Sequence, residues 1–315
     1  MSRPLPPVIL VVGAPRSGTS WLHQMLAQHT AIAGLGDTEL TLFSRYLAPW
    51  AHNFAQEKRD NDAGRWSQGL PVIYSTEEFE ERLREFTRDV YERVHARKPE
   101  ATHVIDKHPN YSNHLPLIDR LLPHCRVIHI IRDGREVVVS TMSARRRIGH
   151  SPGEVRSAAR EWHRCVTNAR AYGAELGTDR YLEVRYEDLM RDRENQLRRT
   201  FDFCGVPTED SFIAGLARSN DIQVKQVSGG DASLNALRAT PSAIWKLKLS
   251  TAERWILDRM AGRLLRSLGY AQDGWWAVGP LDRLRMLPYG LFARIKRSAE
   301  ALRTIWSTPV EERLP

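Results

Sequence analysis

Residues Val8–Val12 are five consecutive apolar side chains, four of them β-branched, and Gly13-Ala14-Pro15 stops the run at once. A run with no polar alternation predicts a strand buried on both faces of a parallel sheet. The next apolar positions, Trp21, Leu22, Met25 and Leu26, recur at helical spacing. Strand, tight turn and helix therefore follow one another without slack. The turn reads Gly13-Ala14-Pro15-Arg16-Ser17-Gly18-Thr19-Ser20, with two glycines at GxxxxG spacing. Glycine lets the backbone approach a phosphate, and the amides of the helix that follows point at the anion. Thr19 and Ser20 add hydroxyl donors. A Walker loop would carry lysine where this chain has Thr19, and the strong cation here is Arg16, two residues before the second glycine. A Walker B strand is not evident either. His103–Asp106 comes nearest, but Lys107 abuts its carboxylate. Mg²⁺-dependent phosphoryl transfer is thereby disfavoured.

Along the chain, further strands are expected at His103–Asp106, Arg126–Arg132 and Tyr181–Tyr186. Helices are expected at 76–97, with Phe79, Leu83, Phe86 and Val90 inward, from Val137, over 154–176, and over Thr251–Leu268 up to Gly269. Asp188 is read as the cap of a helix that ends near Cys204-Gly205-Val206-Pro207, and residues 34–75 as irregular with scattered aromatics. Strands alternating with helices predict an α/β fold, a single doubly wound domain with a central parallel sheet over 1–270. A helical extension, 271–315, follows. Basic residues exceed acidic ones, 46 to 38, for a net charge of +8. That balance suits a phosphorylated cofactor, nucleic acid or an acidic membrane, but equally a solvated arginine face. Arg145-Arg146-Arg147 is read as a solvated helix end rather than a nucleotide contact. The basic amphipathic stretch 281–306 suits a membrane surface, the protein's own core or a second subunit of a homodimer. Three cysteines without a pair and the want of an 18-residue apolar window predict a cytoplasmic protein in a reducing compartment. The histidines show no metal spacing, so no metal site is expected.

Pro15-Arg16-Ser17-Gly18-Thr19-Ser20-Trp21-Leu22 resembles the 5′-phosphosulfate loop of sulfotransferases that use 3′-phosphoadenosine-5′-phosphosulfate (PAPS), a P-loop nucleotide-hydrolase-like fold without the nucleotidase lysine. The run from Arg126 through Arg132 to Ser140 is similar to the same family's 3′-phosphate motif. Arginine supplies a planar two-donor fork there and serine a short hydroxyl. Tyr186-Glu187-Asp188-Leu189 matches a segment whose tyrosine lies near the nucleotide. Trp21 matches a position where an aromatic stacks on adenine, with core packing as the alternative. Trp245-Lys246-Leu247 resembles the closing segment, with Lys246 as a basic residue for the 3′-phosphate.

The resemblance implies that Arg16, Ser17, Gly18, Thr19 and Ser20 hold the 5′-phosphate and that Arg16 and Lys107 stabilise the transferring group, without a metal. Two residues compete as the base that takes the acceptor's proton. A glutamate does so in the branch resembling tyrosylprotein and heparan-type sulfotransferases, which points to Glu39. Cytosolic small-molecule members use a histidine two residues after the matching lysine. His108 follows Lys107 directly, a shift that should turn its side chain away, so Glu39 is preferred. The implied activity is sulfuryl transfer from PAPS to a hydroxyl or amine of a small-molecule, carbohydrate, lipid or peptide acceptor, giving PAP. The rival readings are a P-loop kinase or nucleotidase and a basic nucleic-acid- or membrane-binding module. The module leaves two ordered phosphate motifs with a lysine between them unexplained, so no nucleic-acid partner is expected.

Overall fold

The structure, a computed structural model, describes residues 5–147, 155–220, 244–277 and 281–282. The chain divides into two compact units, Met1–Ile244 and Trp245–Pro315. The division falls before the residue-270 boundary expected above.

The first unit is built on five parallel strands: β1 (Val8–Gly13), β2 (Ile32–Ala33), β3 (His103–Lys107), β4 (Arg126–Ile131) and β5 (Tyr181–Arg185), in the order β2-β3-β1-β4-β5. β1 is central and every residue in it is buried. Its alternate side chains feed two cores. Ile9 and Val11 pack on one face with Leu22, Met25 and Leu26 of α1 (Thr19–Leu26). Leu197 and Phe201 of α8 (Arg193–Cys204) and Ile213 of α9 (Asp210–Ser219) join that layer. Val8, Leu10 and Val12 pack on the other face with α3 (Thr76–His95), α4 (Leu115–Leu121) and Ala169 of α6 (Val155–Leu176). The remaining helices of this unit are α2 (Ala48–Asp62), α5 (Gly134–Arg147) and α7 (Tyr186–Arg191).

The connection leaving β1 runs toward β2 on one side of the sheet, and that leaving β4 runs toward β5 on the other. In open α/β sheets ligands settle beyond the strand C-termini where the winding reverses. Here that place is between the ends of β1 and β4. The two strands approach closely because Gly13 has no side chain: a Cβ there would lie 2.5 Å from the backbone oxygen of Ile130.

Three expectations from the sequence need correction, and one strand was not expected. Residues 34–75 are not irregular: a π-helical turn, Leu42–Leu47, runs into α2. Only Phe54 of α2 is buried, so the helix left no apolar period to read. On α3, Leu83 is buried and Phe79 and Val90 pack partly buried on the core as expected, but Phe86 is exposed and Thr87, Tyr91 and Val94 are buried instead. The inward face includes polar groups that are satisfied there. Thr87 Oγ1 donates to the Leu83 carbonyl at 2.6 Å, and Tyr91 Oη donates to Asp106 at 3.0 Å. Asp188 caps nothing. α7 begins directly at Tyr186, and Asp188 lies in its first turn, where a carboxylate meets the positive end of the helix dipole. The two-residue β2 was too short to leave a pattern.

The second unit is described by its own contacts. It contains α10 (Ile244–Lys248) and α11 (Thr251–Ser267), the latter started by a capping box between Ser250 and Glu253. Trp245 and Trp275 meet edge to face at 5.2 Å, and Trp275 Nε1 donates to Asp258 at 2.8 Å. Most of 281–306 lies outside the described residues, as do the side chains of Arg145, Arg146 and Arg147. No described helix is long and apolar enough to cross a membrane.

Candidate active site

The loop after β1 is shaped by two left-handed residues, Arg16 (φ 72°) and Gly18 (φ 100°). Arginine is strained in that region by about 1–3 kcal/mol, so the surrounding structure must impose it. Gly18 also meets a steric demand. The Tyr186 ring lies over it, and a Cβ at Gly18 would come within 2.7 Å of that ring. Ser17 N–H donates to the Ala14 carbonyl at 3.1 Å, and Ser112 Oγ donates to the Gly13 carbonyl at 3.1 Å, pinning the turn from both sides. Ser17 Oγ is buried and has no hydrogen-bond partner among the described residues. A buried hydroxyl without a partner costs about 1–3 kcal/mol. In a loop that opens a helix, an oxyanion ligand would satisfy it.

Two groups of side chains gather at the ends of this loop. At one end Arg16 Nε donates to Ser140 Oγ at 3.2 Å, and Arg132 Nη1 donates to the Arg16 carbonyl at 3.3 Å. Arg132, Ser140 and Arg16 are thus brought together by the loop after β1 and the strand-to-helix turn after β4. The Arg132 guanidinium lies 4.4 Å from the centre of the Tyr186 ring. Tyr186 meets Trp21 at 5.6 Å, and Arg193 lies 5.3 Å from the Trp21 ring. Trp21 is half-buried, neither free nor part of the deep core, and its Nε1 has no partner among the described residues. The turn after β4 is held by a buried bidentate pair, Arg135 to Asp133. Trp162 Nε1 also donates to the Arg132 carbonyl at 3.0 Å.

At the other end Lys107, the last residue of β3, donates to Ser20 Oγ at 3.0 Å and to Glu39. Lys107 is 3% exposed and Glu39 34%. A buried lysine needs such partners, since an unpaired charge there would be costly. Two of its three N–H donors are engaged among the described residues, which leaves one for an incoming anion. Its backbone is fixed from below by Asp106, whose carboxylate accepts the Lys107 N–H at 2.7 Å and the Tyr91 hydroxyl. Burial raises the Asp106 pKa. Asp106 therefore serves the core on the far face and does not present a Walker B carboxylate to the loop.

His108 departs from the expectation that a one-residue shift turns it away. β3 ends at Lys107, but His108, at φ −152° and ψ 125°, is still extended, and the 3₁₀ turn starts only at Pro109. Its Nε2 lies 3.6 Å from the second oxygen of Glu39. Lys107 and His108 thus reach the same carboxylate. Burial lowers the His108 pKa; Glu39 opposes this, while Lys107 and Arg45 add to it.

Lys246 belongs to the second unit, where it is exposed with its Nζ 5.6 Å from the Trp245 ring. Thr19 is buried in the first turn of α1. The sequence reading missed Ser112, Arg193 and His23. Of these only His23 carried a signal, since it falls on the inward stripe of α1 beside Leu22, Met25 and Leu26. Its ring is buried behind the Lys107–Glu39 pair. Burial first, then Lys107, lowers its pKa to about 4, against the opposing pull of Asp37 and Glu39. Among the described residues no cluster of His, Cys, Asp and Glu could hold a metal ion.

The buried histidines set a pH dependence of stability. Burial also lowers His129, in β4, to about 3, with a smaller contribution from Arg170. Below about pH 6.5 the unfolded chain protonates both rings while the folded chain holds both neutral. Their contribution is fully present above pH 6.5 and is lost as pH falls toward 4 for His23 and 3 for His129. The expected slope is about 1.4 kcal/mol per pH unit for each ring within its window. Urea unfolding at pH 7, 6 and 5 measures it, and His129→Gln should make the slope shallower by that one ring's share.

Comparison with known proteins follows the same lines. The profile of the sulfotransferase family matches residues 7–210. Protein-tyrosine sulfotransferase 1 of Danio rerio is 24% identical over 254 residues, covering 79% of this chain and 66% of that protein. Omega-hydroxy-beta-dihydromenaquinone-9 sulfotransferase Stf3 of Mycobacterium tuberculosis is 25% identical over 257 residues, covering 67% and 66%. The chain thus spans slightly less than two thirds of the length of these two curated relatives. The crystal structure of mouse sulfotransferase SULT7A1 complexed with PAP superposes with a TM-score of 0.52 at 17% identity, covering 82% of this chain and 85% of that one. At that identity the likeness is one of fold.

Proposed function

Because the chain belongs to the sulfotransferase family, we propose that it transfers a sulfuryl group from PAPS to an acceptor hydroxyl or amine, releasing PAP. The observation that carries this reading is that one eight-residue loop joins two cationic groups, Arg16 meeting Ser140 and Ser20 meeting Lys107. A ligand with phosphates on both sides of a nucleoside needs two such places, and a sulfuryl group needs a cation beyond the first. The unpartnered Ser17 hydroxyl and the close packing of Gly18 under Tyr186 fit a phosphate-bearing ligand.

In this reading Ser17, Gly18, Thr19 and Ser20 hold the 5′-phosphate, while Arg132 and Ser140 hold the 3′-phosphate. Trp21 and Tyr186 flank the base. PAPS supplies the sulfuryl group, whose transfer breaks its bond to the bridging phosphate oxygen. Arg16 and Lys107 stabilise the charge that moves onto that oxygen and the sulfuryl oxygens. Glu39 accepts the proton that the acceptor gives up, and His108 steadies the carboxylate from its other side. The phenol and ω-hydroxyl named for the two relatives are both alcohols in the broad sense, which supports oxygen as the nucleophile and a sulfate ester as product.

Calorimetry with PAP and with ATP–Mg²⁺ tests the reading. Tight PAP binding that is unchanged by chelators is expected. A preference for ATP–Mg²⁺ would replace this function with a nucleotidase or kinase.

A further inference from the structure

α2, the 3₁₀ turn at Leu70–Val72 and α3 carry an exposed apolar strip that the reaction centre does not use. Tyr46 and Trp50 meet at 6.3 Å, and Trp50 and Phe86 at 5.8 Å, so these three rings form one continuous surface. Trp50 is 44% exposed, Phe86 41% and Ile73 75%, and Leu70 and Val72 are also open. Single exposed hydrophobics are ordinary, but a connected row of rings marks a contact surface.

The strip begins at the reaction centre. Tyr46 sits on the π-helical turn Leu42–Leu47, which Leu42, Phe43 and Leu47 anchor in the core. Arg45 of the same turn is close enough to lower the pKa of His108, the neighbour of Glu39. Phe43 and His108 both pack against the Tyr111 ring, at 5.1 and 5.0 Å, which ties the turn to the active-site floor.

Most of the charges around the strip are paired with one another. Lys58 pairs with Asp62, Arg65 with Asp60, Arg82 with Glu85, and Arg84 with Glu80 and Glu81. Little charge remains there to recruit an ionic partner, despite the net +8 of the chain.

We infer that the strip binds the apolar body of the acceptor, and that the acceptor is an amphiphilic alcohol with a long hydrocarbon portion. This rests on the sulfotransferase reading and adds the substrate class to it. The hydroxyl reaches Glu39 while the hydrocarbon lies along Tyr46, Trp50 and Phe86.

A series of straight-chain 1-alkanols from butanol to decanol tests this, with the full-length protein, radiolabelled PAPS and parallel PAP calorimetry. kcat/KM should rise about two- to fourfold per added methylene, as expected for partial to full burial of each CH₂. The double variant Trp50→Ala, Phe86→Ala should flatten that dependence through KM while PAP affinity stays the same and the protein still unfolds in one cooperative transition. Both side chains are exposed, so their removal leaves the core intact. A rate independent of chain length, no alkanol turnover by a protein that binds PAP, or a chain-length dependence that survives in the variant would each overturn the inference. So would loss of a dimer, seen by sedimentation, in the variant alone. Failure to bind PAP would instead remove the sulfotransferase reading itself.

Discussion

Glu39→Gln should lower turnover by about 10²–10⁴, the range for one lost acid–base group, while PAP binds at least as tightly as to the unaltered protein. The sign of the binding effect follows from the charges. Glu39 is in contact with Lys107 and 3.6 Å from His108. Its negative charge therefore offsets the cation that an anionic ligand would meet. Glutamine keeps an oxygen for Lys107 but removes that competition. Stability should fall only modestly, because Glu39 is a third exposed and solvent screens what the pair contributes. His108→Ala separates the two candidate bases. If Glu39 takes the proton, losing His108 removes only a contact that steadies the carboxylate, and the loss should stay near tenfold. A His108→Ala loss that exceeds the Glu39→Gln loss would reverse the assignment. Single-turnover measurements are the right readout, since they separate the chemical step from PAP release.

What the sequence disclosed about this site was what lies close together in the chain. Gly13–Ser20 can be read because strand, turn and helix occupy consecutive residues, and each obeys a rule that needs no distant partner. The turn after β4 is local in the same way. The Lys107–Glu39 contact spans 68 residues and follows from the pairing of β2 with β3, which sets the chain leaving β2 beside the end of β3. His108 illustrates the limit. His108 is still extended, with the 3₁₀ turn starting only after it at Pro109, yet it and Lys107 both reach Glu39, one at each carboxylate oxygen, a meeting that strand alternation alone does not foretell. α2 was invisible for another reason. A helix that buries one residue of fifteen leaves no period, and its exposed rings read as scatter. Tyr91 and Thr87 entered the core with hydrogen-bond partners that no pattern of apolar residues announces.

Arg132→Ala should weaken PAP binding by about 10- to 100-fold, the cost of a lost hydrogen bond to a charged group, while AMP binding falls far less. AMP has no 3′-phosphate, so the ratio of the two affinities reports the 3′ site alone. Arg132 has a second role that acts on both ligands. Its guanidinium lies 4.4 Å from the Tyr186 ring, a contact of about 0.5–2 kcal/mol. Its loss lets the ring shift over Gly18, and that part of the effect should be common to PAP and AMP. The fold should tolerate the substitution, since the link from this residue to Trp162 runs through the Arg132 carbonyl and not the side chain. Arg132→Lys distinguishes charge from geometry. Lysine keeps the cation but not the planar fork, so an intermediate PAP/AMP ratio is expected. If Arg132→Ala weakened PAP and AMP by the same factor, the residue would act only through Tyr186. The 3′-phosphate would then rest on Ser140 without Arg132, and Arg16, joined to Ser140 at 3.2 Å, would be the next residue to test.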